Sequence, residues 1–437
     1  MKTTLEEKSK LDLAVGKFMF SQNMAFSGVE NPQFRKLCSS LRPGYTPPNR
    51  KQVAGPILDD VFNEVRANMD MEIKRKSSVL VLSQDGWSNI MNNPIIAHSL
   101  NVGNRSYLYS LENCGSNAKT AQYCFDMTKD IIDRIRNDLN KDVTAIVTDN
   151  EAKMRAFRSL INAQYPDILT YGCAAHYMNL LENAVTDPDA QVMKYVIEVS
   201  KQFRNVHKLL GLLKEKGGLT PQLPNNTRWT SQITALEVYL KNIDIYVEIR
   251  DELYEKGDRT MPTNIGRILD DRQIKRLVAE WLDLSKCFAV ALNRLQSDTC
   301  MISESIHIWL SLMKNEKLVQ FEDEIKKRFD QYCEPYMIVA YITDPRYQDE
   351  WPEMLTGGDV GILEEYADDW LNDRDVDGEL MVPYLKFKKA EKDTDMFPSY
   401  MFKLASVSSP SEWWTFIHEK NSRTKKIAPE FTNLMIR

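Results

Sequence analysis

The sequence predicts an α/β fold: one mixed sheet, a helical segment ahead of it, and an almost wholly helical second half. Three observations carry this. Residues 79–111 hold three short apolar runs separated by turn-forming residues, residues 119–174 alternate helix-length and strand-length patterns, and from about Pro188 apolar residues recur at helical spacing. Hairpins make the first three strands antiparallel, and helical crossovers bring the later strands back parallel to the first.

Taken in order, a helix is predicted from about Leu5 to Ser21, where Leu11, Val15, Phe18 and Met19 share one side. Asn31-Pro32 is a helix start, Pro43-Gly44-Tyr45-Thr46-Pro47-Pro48 an obligatory loop, and Asn49–Lys74 a second long helix with Val53, Ile57, Val61 and Val65 aligned. Strands follow at about Val79–Ser83, Ile95–Val102 and Tyr107–Leu111, with turns at Asn92-Asn93-Pro94 and Gly103-Asn104-Arg105. A helix over Lys119–Asn140, a strand at Thr144–Thr148, a helix at Glu151–Gln164 and a strand at Ile168–Gly172 lead into a helix from Ala174. Beyond it, helical spacing covers Gln191–Leu213, Trp229–Leu240, Ile243–Tyr254, Asp270–Leu295, Cys300–Met313 and Leu318–Tyr332. The predicted divisions are a helical N-terminal segment (1–76), the sheet domain (77–240), a helical insertion (241–345) and a C-terminal part with an acidic linker (346–437).

With 437 residues, 43% of them hydrophobic and 27% charged, the chain has the composition of an ordinary globular protein. No apolar run reaches the roughly 20 residues of a membrane span and no leader opens the sequence, so an intracellular protein without membrane partners is expected. Seven cysteines without a repeating spacing point to reduced thiols rather than a disulfide framework. The net charge of -6 is uneven: residues 1–240 carry +4 and residues 241–437 carry -10, much of it between Asp359 and Glu379. A polyanion would therefore approach the first half, and the acidic run is expected as a solvated linker.

Two aspartates stand at the ends of strand-like runs, Asp85 after Ser78–Gln84 and Asp149 after Val143–Thr148. Carboxylates at adjacent strand ends of one sheet can share Mg²⁺ or Mn²⁺ for phosphodiester chemistry, and the carboxyl ends of parallel strands are where open α/β sheets bind ligands. The competing reading of either residue alone is a turn former or helix cap. Cys173 and His176 have half the spacing of a zinc site without the other half, so no structural zinc is expected. Arg228 and Trp229 follow a Pro-rich loop, where the guanidinium could meet phosphate and the indole a base, or the indole could join a core. Trp413-Trp414 reads as a packed aromatic pair in a terminal helix.

These residues resemble the hAT superfamily of transposases. The resemblance rests on Asp85-Gly86-Trp87-Ser88, Val147-Thr148-Asp149-Asn150, Cys173-Ala174-Ala175-His176 with Asn179-Leu180, and Thr227-Arg228-Trp229-Thr230-Ser231 in order. It extends to Phe26–Phe34, Arg42-Pro43-Gly44-Tyr45, Asp344-Pro345-Arg346-Tyr347 and Ser411-Glu412-Trp413-Trp414. It implies an RNase H-like domain interrupted by a large all-α insertion, with Asp85 and Asp149 as catalytic metal ligands. It implies as well that Cys173 and His176 lie beside the active site and that Arg228 and Trp229 lie near DNA. The implied reaction is metal-dependent DNA cleavage and strand transfer, in the nucleus.

Members of the family commonly begin with a zinc-binding BED finger, whose ligands do not precede Leu11, and carry a third acid well after the Trp-Trp segment, beyond Arg437. The expectation is thus a transposase-derived protein with an incomplete metal site and residual DNA binding, possible as a homo-oligomer, nuclear or cytoplasmic. Its alternatives are an active strand transferase whose third acid comes from elsewhere, and a helical interaction scaffold without DNA binding.

Overall fold

Two aspartate-bearing strands lie side by side at the centre of the sheet. The computed structural model describes residues 3–76, 79–103, 105–117, 119–186, 191–224, 229–297, 299–356, 362–375, 380–389, 397, 399–405 and 408–420. The chain divides into two compact units, one of Met1–Ser78 with Lys129–Asp142 and one of Val79–Thr128 with Val143–Arg437.

The first unit is helical. Helices α1 (Leu5–Ser21), α2 (Pro32–Leu41), α3 (Arg50–Ala54) and α4 (Pro56–Arg75) start where caps are available. Thr4 caps α1, Asn31 caps α2 just ahead of Pro32, and Asn49 with Gln52 forms a reciprocal capping box on α3. The single helix expected over 49–74 is two, because Pro56 cannot donate a backbone hydrogen bond and restarts the helix after Gly55. Met19, Val29, Val53, Ile57 and Val61 form this unit's core.

The second unit holds a five-stranded mixed sheet: β1 (Leu80–Ser88), β2 (Pro94–Val102), β3 (Arg105–Asn113), β4 (Ala145–Thr148) and β5 (Leu169–Gly172), in the order β3-β2-β1-β4-β5. The β1-β2 and β2-β3 pairs are antiparallel, and β4 and β5 run parallel to β1, as expected. Helix α5 (Ala121–Arg134) begins in this unit, α6 (Ala152–Gln164) crosses between β4 and β5, and α7 (Ala174–Thr186) follows β5. One expectation is corrected: β1 does not stop before Asp85 but continues to Ser88 against β2, while its ladder with β4 ends at Gln84 opposite Thr148.

One face of the sheet carries Val81, Ala145 and Tyr171 into a core with Met178 and Leu181 of α7, Trp309, Phe329 and Tyr336. A second core gathers the helices between residues 191 and 282, including Phe203, Leu236, Tyr246 and Ile265. The helix Arg272–Leu295 belongs to both, with Ile274, Val278 and Leu282 in one and Phe288, Ala291 and Leu292 in the other.

Two more expectations are corrected here. The predicted break near residue 241 is absent, and Trp229–Glu255 is one helix. Asn242 is buried inside it because its amide exchanges two 2.8 Å bonds with the backbone of Leu219 and donates to Tyr246 Oη at 3.0 Å. The acidic run is not a linker over 362–372: Ile362–Asn372 is a helix with Ala367 and Leu371 buried. Its acids are neutralised from the next helix, where Lys388 reaches Glu364 and Asp368 at 2.7 Å each. Trp413 and Trp414 are buried, their indoles donating to the carbonyls of Met401 and Thr343 at 2.7 and 3.0 Å.

Candidate active site

Register brings three of the expected residues to one sheet edge. The last β1-β4 pair is Gln84 with Thr148, and the last β4-β5 pair is Thr148 with Gly172, so Asp85, Asp149 and Cys173 are the next residue on three neighbouring strands. Adjacent strands lie about 4.8 Å apart, and side chains alternate between faces every residue. Asp85 is in phase with Val81, Asp149 with Ala145, and Cys173 with Tyr171, the positions that face the α7 core. Both carboxylates therefore emerge at the rim of that helical layer.

Local hydrogen bonds set each group. Asp85 Oδ1 accepts from Gly86 N–H at 2.8 Å, and Asp149 Oδ1 accepts from Glu151 N–H at 3.0 Å. Asp149 thus makes the turn that sequence reasoning offered as its bland role, and the same turn exposes its other oxygen. Cys173 N–H continues the ladder to Thr148 O at 2.7 Å, and its carbonyl accepts from His176 and Tyr177 at the start of α7. Burial pushes the Cys173 thiol up, and the negative charges of Asp85 and Asp149 push in the same direction. Both carboxylates act on this sulfur, which agrees with the register.

Behind the Asp149 turn stands a residue that sequence reasoning passed over. Arg158 Nη1 donates to Thr148 Oγ1 at 2.7 Å and to Asp149 O at 2.8 Å, and Nη2 donates to Asn150 Oδ1 at 2.8 Å. One planar fork thereby fixes three consecutive residues. The signal was present: Arg158 falls within the apolar stripe of α6 formed by Met154, Phe157 and Ile161, a place where a cation needs buried acceptors. Lys119 was missed as well; its ammonium donates to Trp87 O at 2.9 Å and Ile95 O at 2.8 Å, closing the far end of the β1-β2 pair.

The strand end before Cys173 tolerates no side chain at Gly172. A Cβ there would lie 2.6 Å from Tyr177 Cε2, and that ring is tethered by its hydroxyl donating to Gln331 O at 2.8 Å. Gly172→Ala is expected to lose about 1–3 kcal/mol through overpacking. Urea unfolding followed by circular dichroism measures it, and an unchanged midpoint would mean the ring moves freely.

The other expected site residues are not gathered here. Arg228 lies outside the described residues; Trp229 opens the helix Trp229–Glu255, and its side chain lies outside them too. Glu412, weighed as a substitute acid, accepts from Ser409 N–H and Oγ at 2.9 and 2.8 Å and so serves as a helix cap. Glu430 lies outside the described residues. Among the described residues no three His, Cys, Asp or Glu side chains come together as a metal-ligand group. None of the described helices is long and apolar enough to cross a membrane.

The geometry is that of two hard oxygen donors at the carboxyl ends of adjacent parallel strands. Residues 48–206, which include Asp85, Asp149, Cys173 and His176, match the model of a domain of unknown function, DUF659, a domain found in hAT-like transposase-related proteins. No curated protein matches the chain.

Proposed function

We propose that this chain is a transposase-derived, RNase H-like protein of the hAT type. Its Asp85-Asp149 pair holds Mg²⁺ or Mn²⁺ against the phosphates of DNA, in a ligand set that lacks a third acid. The observation that carries the proposal is the register: the two carboxylates follow directly on a paired couple of parallel strands and share one face. Mg²⁺ suits such a set, because it keeps several waters and takes one or two carboxylates plus phosphate oxygens. When bound, the ion would supply charge neutralisation at phosphorus and an activated water. The chain's own part is to aim the two carboxylates, to keep the Asp149 turn fixed through Arg158, and to offer cations near the acids. Arg155 bonds Asn150 O at 2.9 Å, and Lys153, held by Glu151, feels the charge of Asp149.

The reading is tested in two arms. Calorimetric titration with Mn²⁺ is expected to detect binding that Asp85→Asn and Asp149→Asn each weaken by at least the roughly 10- to 100-fold that loss of an outer partner costs. Incubation with supercoiled DNA and Mn²⁺ is expected to give slow or no nicking, since one missing transition-state stabiliser costs on the order of 10²–10³ in rate. Binding unchanged in both variants would remove the metal pair. Rapid nicking that both substitutions abolish would favour the active transferase.

A further inference from the structure

We propose that β3 is a self-association strand, pairing antiparallel with β3 of a second copy of this chain to join two sheets across a two-fold axis. The strand is the last in the sheet order, nine residues long, and pairs only with β2. An edge of that length presents unpaired backbone donors and acceptors, which proteins usually protect with Pro or Lys. β3 reads Arg-Ser-Tyr-Leu-Tyr-Ser-Leu-Glu-Asn and contains neither.

The bulge in this strand makes the edge self-complementary. His98 pairs with Ser110 and Ser99 with Leu108, which leaves Tyr109 as the extra residue. Leu108 and Leu111, three apart, would face opposite sides of a regular strand; the bulge turns both to one side. They are 59% and 54% exposed. An antiparallel pairing that sets Leu108 opposite Leu111 of the second copy repeats itself through the two-fold axis, so both leucines of each copy are covered.

Charge favours the same arrangement. Arg105 opens the strand and Glu112 stands near its end, so antiparallel pairing brings opposite charges alongside and parallel pairing brings like charges together. These features select a second copy over an unrelated peptide. Two strands bury less than the roughly 1,200 Å² of a stable specific interface, so the association is expected to be concentration-dependent.

Sedimentation equilibrium of the full chain is expected to show a reversible monomer-dimer equilibrium. Leu108→Lys should weaken it tenfold or more while circular dichroism stays unchanged, because the side chain is exposed and a Lys on the edge opposes pairing. Register is read separately: Leu108→Cys with Leu111→Cys in one chain should give an oxidised covalent dimer, and neither single variant should do so above the native background. A strictly monomeric chain overturns the proposal. A dimer indifferent to Leu108→Lys, or single variants that cross-link as well as the double, would also overturn it. Neither outcome bears on the metal pair, whose test uses different residues and a different readout.

Discussion

Asp344→Ala is expected to destabilise the second unit by about 3–5 kcal/mol, the cost of removing one partner from a buried ion pair. Asp344 is fully buried and accepts from Ser303 Oγ at 2.7 Å, Arg346 N–H at 3.0 Å and Arg346 Nη2 at 2.7 Å. Removing it strands Ser303 and leaves the guanidinium of Arg346 beside Glu304 at 4.0 Å as its remaining anion. Arg346 keeps 27% of its side-chain surface and can turn toward water, which puts the loss at the lower end of the range. Asp344→Asn should lose less, because an amide oxygen still accepts from Ser303 and the backbone. Urea midpoints for the two variants separate the charge from the hydrogen bonds, and equal losses would assign the whole effect to charge.

This cluster gives the Asp344-Pro345-Arg346-Tyr347 segment a structural reading. Tyr347 stacks on His307 at 4.5 Å, and Trp414 bonds the carbonyl of Thr343, the residue just before the segment. The segment ties the helix Ile302–Met313 to the helix Pro410–Lys420. Its likeness to the transposase motif therefore reflects how the core is assembled and carries no site chemistry.

Periodicity made the sheet legible because its signals are local. Hairpin turns at 89–93 and the alternation of helix and strand between 119 and 174 fix strand direction without knowledge of any distant contact. The carboxylate pair was legible for the same reason, since strand ends read from sequence become neighbours once β1 and β4 are adjacent. What the sequence hid depends on long-range partners. Asn242 looks like a helix break until Leu219 supplies its hydrogen bonds, and the acidic run looks solvated until Lys388 supplies its counter-charge. The extension of β1 past Asp85 depends on β2, whose pairing carries Gly86, Trp87 and Ser88 along. Arg158 and Glu182 share one overlooked signature, a charge inside the apolar stripe of a helix.

Glu182→Gln is expected to stabilise the protein at neutral and alkaline pH and to flatten its pH dependence. In α7 the side chain falls between Met178, Leu181 and Val185, all buried, and it is itself fully buried. Burial raises its carboxyl from the ordinary 4.5 to about 9. The folded chain thus keeps a proton that the unfolded chain releases near pH 4.5, and stability falls as pH rises wherever the folded state binds more protons. The contribution is fully present below the unfolded value and is lost as pH climbs toward the folded one. Across pH 5 to 7.5 one such group lowers stability by about 3 kcal/mol. Glutamine keeps the shape and the amide's hydrogen-bonding capacity and has no proton to lose, so the variant and the native chain should match near pH 5 and diverge steadily above it. Urea denaturation at a series of pH values measures the divergence, and parallel profiles would mean that Glu182 is ionised in the folded protein.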